Sequence, residues 1–284
     1  MSGQTVLEKR SYRFHQVDVF AQEPLKGNPL AVVVDADDLT DAQMAGFANW
    51  TNLSETTFLC KPTVAGADYR VRIFTPNAEL PFAGHPTLGS CAVWLATSER
   101  DVGDTIIQQC GVGLVKLRRE AETISFAAPP LRKSGPVEPD LLERLSRGLG
   151  IGLDEIVDAN WVDNGPDWIA VLLKNREAVL AIKPDYAVLA GQRLGVVAPW
   201  HGEGRQADFE LRAFTSGGYE DPVTGSFNAG VAQWLIGANI APASYVASQG
   251  TVLGRAGRIH VEKIGADVWI GGHVTHCIEG ELKL

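Results

Sequence analysis

The sequence lacks several features that would place it in a common class of protein. Its 284 residues contain only four cysteines, Cys60, Cys91, Cys110 and Cys277, and two methionines. Because the cysteines are widely spaced within apolar runs, they form neither a disulfide framework nor a CxxC zinc or redox motif. No stretch approaches the roughly 18 uncharged apolar residues of a membrane-spanning helix, and residues 1–25 have no signal-peptide core. We therefore expect a soluble protein of a reducing compartment, the cytoplasm.

Positive charge is also scarce. Lysine and arginine total 25 against 34 aspartates and glutamates, which gives a net charge of −9. Nucleic-acid-binding domains usually carry a concentrated basic stripe, so we expect no nucleic-acid partner. The sequence has no GxxxxGK[ST], no HExxH and no GxGxxG between a strand and a helix. His273 and His276 fall in a predicted strand, where positions three apart point to opposite faces, so we expect no metal site there.

The sequence does contain an internal repeat. Residues 209–235, FELRAFTSGGYEDPVTGSFNAGVAQWL, follow the plan of residues 69–95, YRVRIFTPNAELPFAGHPTLGSCAVWL. In both, an Arg-x-Phe-Thr strand leads through a loop into a helical run ending in Trp-Leu, and Arg72 matches Arg212 at an offset of 140 residues. Two copies of one unit predict two lobes related by pseudo-two-fold symmetry.

The hydrophobic pattern around the repeat predicts an α+β fold. Both repeated helices, TLGSCAVWLAT and GSFNAGVAQWLIG, have no charged face, which is typical of a helix buried on all sides. We predict that each lobe is a curved, mostly antiparallel sheet wrapped around its central helix. The Pro-rich stretch at residues 128–130 divides the chain into an N-terminal lobe, 1–129, and a C-terminal lobe, 130–284, whose last strand crosses back to the first lobe.

Around this core, the periodicity predicts strands and three further helices. Helices are expected over residues 41–50, capped by Thr40, over 139–148 and over 185–193. Strands are expected at residues 12–20, 30–36, 56–60, 69–75, 105–109, 112–119, 123–127, 168–173, 209–215, 246–250, 257–263 and 267–274.

Each repeated helix begins directly after a Gly-bearing loop. Such a start offers free backbone N–H groups and the positive end of the helix dipole. Two helix starts that meet between pseudo-symmetric lobes would hold one anionic small molecule. The alternative is that the loops are only tight turns and the symmetry only structural.

Candidate proton-transfer groups lie beside these starts. Glu55 precedes an apolar strand in NLSETTF, His85 lies in FAGHP, and Glu220, Asp221 and Ser226 lie in EDPVTGS. A carboxylate, an imidazole and a second carboxylate at strand ends and helix starts suit acid–base chemistry. Each residue also has a plain interpretation: Glu55 as a solvated loop acid, His85 as a turn residue, and Asp221 and Ser226 as helix caps.

Four motifs in order, GNP, NLSE, FTPxxELPFAGHP and EDPxTGS, make a specific set over nearly the whole chain. With them the sequence resembles the PhzF-like isomerase family of phenazine biosynthesis, which has the diaminopimelate epimerase fold. The resemblance implies a cofactor-independent isomerase, without a metal, that forms a homodimer. It also implies site roles: Glu55 as catalytic acid/base assisted by His85 and Asp221, with Gly84, Gly225 and Ser226 in the substrate site.

One departure from the family concerns the start of the second helix. Phe227 and Asn228 stand where the family commonly has small residues or a histidine, and we expect the bulky Phe227 to reshape the pocket. The expected substrate is a small carboxylate-bearing metabolite, such as a cyclic dihydroaromatic acid.

Two alternatives to this isomerase remain. An epimerase on this fold uses a pair of cysteines at the helix starts, and neither start has one here. Cys91 lies further along the first helix, where burial as a small hydrophobe is expected. A non-catalytic binding protein is the other alternative, although it would have little need of an acid/base.

Overall fold

A computed structural model describes residues 10–100 and 102–284 of the chain. Five α-helices lie in this part of the chain: α1 (Asp41–Thr51), α2 (Gly84–Thr97), α3 (Pro139–Leu149), α4 (Arg176–Ala181) and α5 (Gly225–Gly237). Its strands are β1 (Ser11–Val19), β2 (Asn28–Val33), β3 (Thr56–Cys60), β4 (Tyr69–Phe74), β5 (Glu79–Leu80), β6 (Thr105–Cys110), β7 (Gly113–Glu120), β8 (Thr123–Ala127), β9 (Lys133–Pro136), β10 (Ile156–Asp163), β11 (Trp168–Leu173), β12 (Arg193–Pro199), β13 (Phe209–Phe214), β14 (Glu220–Asp221), β15 (Ser244–Gln249), β16 (Gly257–Ile264) and β17 (Asp267–Lys283). Among these helices, none combines the length and the apolarity needed to cross a bilayer.

The strands of the first lobe pair in a closed ring. The order is β17, β1, β2, β3, β4, β6, β7, β8 and back to β17. Only β2–β3 and β4–β6 are parallel pairs in this ring. Closure leaves no free edge, and it creates an interior that a buried helix can fill.

The second lobe repeats this strand order with β9 to β13, β15, β16 and the first part of β17, but no pairing between β9 and β17 closes it among the described residues. Its parallel pairs are β11–β12 and β13–β15, the counterparts of those in the first lobe. The long last strand joins the lobes, because residues 267–271 pair with β16 whereas residues 274–283 pair with β1. The lobe boundary after residue 129 stays a prediction.

The mixed α+β fold with a central helix in each lobe is confirmed. Helices α2 and α5 are buried along most of their length, and Cys91 on α2 is fully buried. Small residues allow the sheets to approach these helices closely. A Cβ at Gly89 would lie 2.6 Å from Leu30 Cδ2, and one at Gly230 would overlap the carbonyl of Val162.

The outer faces of the sheets are covered by the remaining helices. Helix α1 packs its predicted apolar residues Met44, Phe47 and Ala48 on the first lobe, and Thr40 caps it in a capping box with Gln43, which satisfies free N–H groups at the helix start. Helix α3 packs in the second lobe's outer core, through Leu145 and Leu149.

One sequence prediction about the second lobe is wrong, and strand β12 was not predicted. No helix forms over residues 185–193; turns precede the buried strand β12, and the helix is α4, residues 176–181. The run Leu194 to Ala198 is buried throughout, so it lacks the alternation of apolar and polar residues that marks a half-exposed strand.

The repeat is visible as two matching ion pairs. Arg72 donates two hydrogen bonds to Glu79, at 2.8 and 2.7 Å, and Arg212 donates two to Glu220, at 3.0 and 2.8 Å. Each ion pair connects a strand, β4 or β13, to the segment that leads into the central helix of its lobe. Arg212, which is buried, also donates to the carbonyl of Ile182 just beyond helix α4.

Candidate active site

A large cavity lies between the two repeats. Its volume is about 1090 Å³, and its wall includes Glu55 and Phe82 from the first repeat and Trp168, Asp221 and Ser226 from the second. A cavity of this size accommodates a small organic ligand. The wall therefore brings together candidate residues that lie far apart in the sequence.

The starts of the two central helices touch at this cavity. A Cβ on Gly84 would lie 3.0 Å from Gly225 Cα, and one on Gly225 would lie 3.1 Å from Gly84 Cα, so a side chain at either position would press on the backbone of the other helix. Neither helix has a side-chain hydrogen bond at its N-cap, Ala83 in α2 or Thr224 in α5. Free N–H groups of two helices thus converge at one place, where they favour an anion.

Glu55 and His85 face each other at the rim of this junction. Glu55 immediately precedes β3, and His85 is the second residue of α2. Glu55 Oε2 lies 3.4 Å from His85 Nε2, and neither atom has a hydrogen-bond partner in the described part of the chain although both are buried. Buried polar atoms without partners are rare in folded proteins, and here a ligand group placed beside both atoms would satisfy them.

Burial shifts the pKa of both groups away from the charged form. Desolvation, reinforced by the nearby Asp221, raises the pKa of Glu55 to about 8, and desolvation lowers the pKa of His85 to about 3. At neutral pH the contact is therefore a carboxylic acid beside a neutral imidazole, without an ion pair. With a side chain 17% exposed, Glu55 also remains open to the cavity.

Asp221 lies in a dense hydrogen-bond network at the start of α5. Asn28 donates its side-chain amide to Asp221 Oδ1 at 3.0 Å and to the Val223 carbonyl at 2.9 Å, and the Thr224 hydroxyl donates to Asp221 Oδ2. The Gln249 amide donates to the Asp221 carbonyl at 3.0 Å. Burial raises the pKa of Asp221 to about 6, partly offset by the bonds from Thr224 and Asn28.

The network also connects Asp221 to His85. Asn28 Nδ2 lies 3.4 Å from His85 Nδ1, so Asn28 lies between the two candidate residues. Asn28 belongs to the GNP motif, but no role for it follows from the sequence. Its function depends on the second lobe, 193 positions away, and no local pattern indicates such a contact.

Ser226 is held by the second lobe. The Trp168 indole N–H donates to Ser226 Oγ at 3.0 Å, and Asn164 donates to the Ser226 carbonyl at 2.9 Å. Because its oxygen already accepts from Trp168, the hydroxyl of Ser226 has its own hydrogen to donate.

Phe227, which was expected to reshape the pocket, is not part of the cavity wall. The side chain of Phe227 is fully buried. Its ring occupies the space beside Gly195, where a Cβ would overlap it, and its centroid lies 5.2 Å from that of Trp168. Phe227 thus packs against Trp168, the cavity residue that donates a hydrogen bond to Ser226.

Arg193 is a cavity residue that the sequence did not single out. Among the described residues that line the cavity it is the only lysine, arginine or histidine. Its Nη1 lies 2.5 Å from Asp167 Oδ1. Arg193 also lies close to the two candidate acids, because all three act on the same tyrosine. The pKa of Tyr219 is raised by burial and by the charges of Asp221 and Glu55, and the positive charge of Arg193 partly offsets this rise.

The strand registers explain why Arg193 faces the cavity. Thr56 on β3 lies opposite Phe74 on β4, and Leu194 on β12 lies opposite Phe214 on β13. Phe74 and Phe214 are equivalent in the repeat, so the residues just before Thr56 and Leu194, Glu55 and Arg193, take equivalent positions. One lobe directs an acid into the cavity and the other directs a permanent cation.

Comparison with known proteins assigns the chain to a family. Residues 17–280 match the family model described as phenazine biosynthesis-like protein, PhzC-PhzF. The chain belongs to the PhzF family. Trans-2,3-dihydro-3-hydroxyanthranilate isomerase of Pseudomonas aeruginosa is 32% identical, and the match covers 96% of this PhzF chain and all of that protein. Several named PhzF relatives are isomerases, and this chain is an isomerase of the same type.

Other relatives support the family and the fold. Antisense-enhancing sequence 1 of Schizosaccharomyces pombe is 37% identical over 95% of this chain and 98% of its own length. A PhzF-family crystal structure from Enterococcus faecalis matches with a TM-score of 0.81 and 30% identity, covering 97% of this chain and 100% of that one. A hydroxyproline epimerase from Agrobacterium vitis shares only the fold, with a TM-score of 0.59 and 13% identity.

Proposed function

We propose that this PhzF-family protein moves a proton between two carbons of a small carboxylate-bearing metabolite, without a cofactor, with Glu55 as the acid/base. The observation that carries the proposal is the carboxyl of Glu55, buried in the interlobe cavity beside His85 with a pKa raised to about 8. A group whose pKa lies near the working pH both accepts and donates protons efficiently. The cyclic dihydroaromatic acid named for the Pseudomonas relatives is the first substrate to test.

In the proposed reaction the carboxylate form of Glu55 takes a proton from a substrate C–H. The electron pair of that bond becomes part of a shifted double bond. The protonated Glu55 then delivers the same proton to another carbon of the molecule, so no redox partner is required. Exclusion of water by the cavity preserves the raised pKa through the cycle.

Asp221 and His85 have different parts in this scheme. The pKa of Asp221, about 6, leaves it ionised at neutral pH while Glu55 is largely protonated. Because the two pKa values differ, one carboxyl group is mostly a carboxylate and the other is mostly a carboxylic acid at the same pH. Asp221 accepts a hydrogen bond from a substrate amino or hydroxyl group, and neutral His85 orients the substrate beside Glu55.

The substrate carboxylate is bound by the paired helix starts and by Arg193. An anion that enters a cavity with two carboxyl groups needs compensating positive charge. Arg193, whose side chain is 40% exposed, and the free N–H groups at Gly84 and Gly225 supply it. The Ser226 hydroxyl adds a hydrogen-bond donor near the same helix start.

The arrangement favours isomerisation over the epimerase alternative. Epimerisation requires two bases on opposite faces of one carbon. The position equivalent to Glu55 in the second lobe is Arg193, which is always protonated and cannot serve as a base. The two helix starts carry no thiol, and Cys91 is buried in α2.

The role of Glu55 is tested by a Glu55→Gln variant with the dihydroaromatic acid as substrate, in deuterated water. We expect kcat of Glu55→Gln to fall by about 10²–10⁴-fold, because the acid/base is gone. The wild-type product should carry the substrate's own hydrogen at the new C–H and little deuterium, because Glu55 delivers the proton that it took. Glu122→Gln, which changes an 85% exposed carboxyl, is the matched control. Unchanged turnover by Glu55→Gln would contradict the proposal.

The role of Arg193 is tested by comparing Arg193→Gln with Asp167→Asn. Both variants break the same ion pair, but only the first removes the cation. We expect Arg193→Gln to raise KM by roughly 10–100-fold, the value of a charge-assisted hydrogen bond, and Asp167→Asn to leave KM unchanged or lower. Equal effects of both substitutions would assign the ion pair a structural role instead.

A homodimer and a cytoplasmic location, both expected from the sequence, stay predictions. Sedimentation of the purified protein measures the first, and fractionation of cells measures the second.

A further inference from the structure

Outside the cavity, two histidines and a glutamate converge where the first and last strands pair. We propose that His15, His276 and Glu279 form a binding site for a divalent transition metal ion, with Zn²⁺ as the simplest occupant. Each residue offers one ligand atom, and the three atoms lie within 4.8 Å of one another. None of the three lines the interlobe cavity, so the site is separate from the proposed chemistry.

A β-bulge produces this grouping. His15 lies opposite Glu279, and Val17 lies opposite His276, so β17 uses one more residue than β1 over this interval. In a regular strand His276 and Glu279, three positions apart, would point to opposite faces. The extra residue removes that alternation and returns both side chains to the face of His15. The sequence argument against a metal, made for His273 and His276, therefore does not apply to this set.

The histidine at the centre of the group has an unused ligand atom. His15 is 8% exposed, and its Nδ1 has no hydrogen-bond partner among the described residues. The nearest carboxylate oxygen, Glu279 Oε1, is 4.0 Å away, too far for a hydrogen bond.

The ligand set and spacing fit zinc chemistry. Two imidazoles and one carboxylate, with one position left for water, form a common zinc ligand set. Tetrahedral ligands at about 2.1 Å from the ion lie about 3.4 Å apart, so the three atoms must move together by roughly 1 Å. His276 and the 70% exposed Glu279 have the rotamer freedom for this movement.

The surrounding charges permit a cation here. Arg13, two residues before His15 on the same strand, is paired with Asp35 at 2.7 Å, which compensates its positive charge. A bound ion would join β1 to the end of β17, and so fasten the two ends of the described chain. A ligand that binds only the folded state stabilises it in proportion to the logarithm of its concentration over Kd.

The test is a titration of the full-length, chelator-treated protein with ZnCl₂, followed by calorimetry and by the thermal unfolding temperature. We expect one Zn²⁺ per chain and an increase in Tm. His276→Gln and Glu279→Gln, both at exposed positions, should each weaken binding by at least about tenfold and remove the increase in Tm, since even outer-sphere changes cost about 10–100-fold.

Two matched controls make the result specific. His201→Gln changes an exposed histidine elsewhere, and Glu281→Gln changes an exposed carboxyl on the same strand two residues beyond Glu279. Both should bind Zn²⁺ like the wild type. The inference is overturned if the wild type binds no stoichiometric Zn²⁺, if His276→Gln binds it as tightly as the wild type, or if His201→Gln loses it.

Discussion

Replacing Glu55 by glutamine should stabilise the folded protein while it removes activity. The folded structure holds Glu55 with a pKa raised from 4.5 to about 8. Between these two values the folded state binds a proton that the unfolded state releases, so the free energy of unfolding falls as the pH rises. The glutamine side chain of the Glu55→Gln variant is neutral at every pH and does not have this penalty.

The size of the effect follows from the interval between the two pKa values. Each pH unit within the interval costs about 1.4 kcal/mol of folding free energy. The stability difference between Glu55→Gln and the wild type should therefore grow by on the order of 3 kcal/mol between about pH 5.5 and about pH 9. Asp221 contributes its own pH dependence to both proteins, and the comparison cancels it to first order.

The assay is urea unfolding of wild type, Glu55→Gln and Glu122→Gln at several pH values. The free energy of unfolding of Glu122→Gln should change with pH as that of the wild type does, because the carboxyl that this substitution removes is exposed to solvent. A stability difference between Glu55→Gln and the wild type that stays constant with pH would refute the reasoning, since it would mean that Glu55 ionises normally in the folded state.

Three further predictions concern residues around Glu55. The pKa of His85 is lowered to about 3, so ring ¹⁵N NMR should show a neutral imidazole down to about pH 4. As the pH falls below 6.5, the unfolded state binds a proton on this histidine that the folded state does not, so the free energy of unfolding should decrease. A ring that titrates near pH 6.5 in the folded protein would contradict this. Gly195→Ala should lower the free energy of unfolding by about 1–3 kcal/mol in urea, because the new methyl overlaps the Phe227 ring, and Phe227→Leu in the same chain should recover part of the loss; no loss would show that the ring can move. Gly84→Ala should reduce kcat/KM by about a hundredfold with circular dichroism unchanged, since its Cβ would press on the backbone of Gly225 and separate the helix starts; normal kinetics would show that their contact is not required.

Much of the first lobe could be predicted from local patterns. Strand β4 and the cap of α1 at Thr40 follow from alternation and capping chemistry, which act within a few residues. Strand β12 could not be predicted in this way for a physical reason: it is buried on both faces, so its apolar run carries no periodicity. Helix α2 begins three residues before its predicted start, because Gly84, His85 and Pro86 are poor helix formers that the fold nevertheless places in the first turn.

The candidate site divides in the same way. Motif order indicated Glu55, His85 and Asp221, and their catalytic roles remain proposals. The residues that set the pKa values and the orientation of these side chains could not be predicted from the sequence. Asn28 reaches Asp221 across the lobes, Trp168 reaches Ser226, and Arg193 enters the cavity through a strand register.

The sequence alone determined that the chain has two similar halves, each with a helix too apolar to lie at a surface, and that acids and an imidazole adjoin the starts of those helices. These properties are local, since a dozen residues suffice to define a periodicity or a cap. Only the tertiary structure decided that the two helix starts touch, that Glu55 is desolvated beside Asp221, and that a bulge turns His276 toward His15. Burial, electric field and strand register at the site depend on residues that lie more than a hundred positions apart in the sequence. These residues come together only when the sheets fold around the central helices.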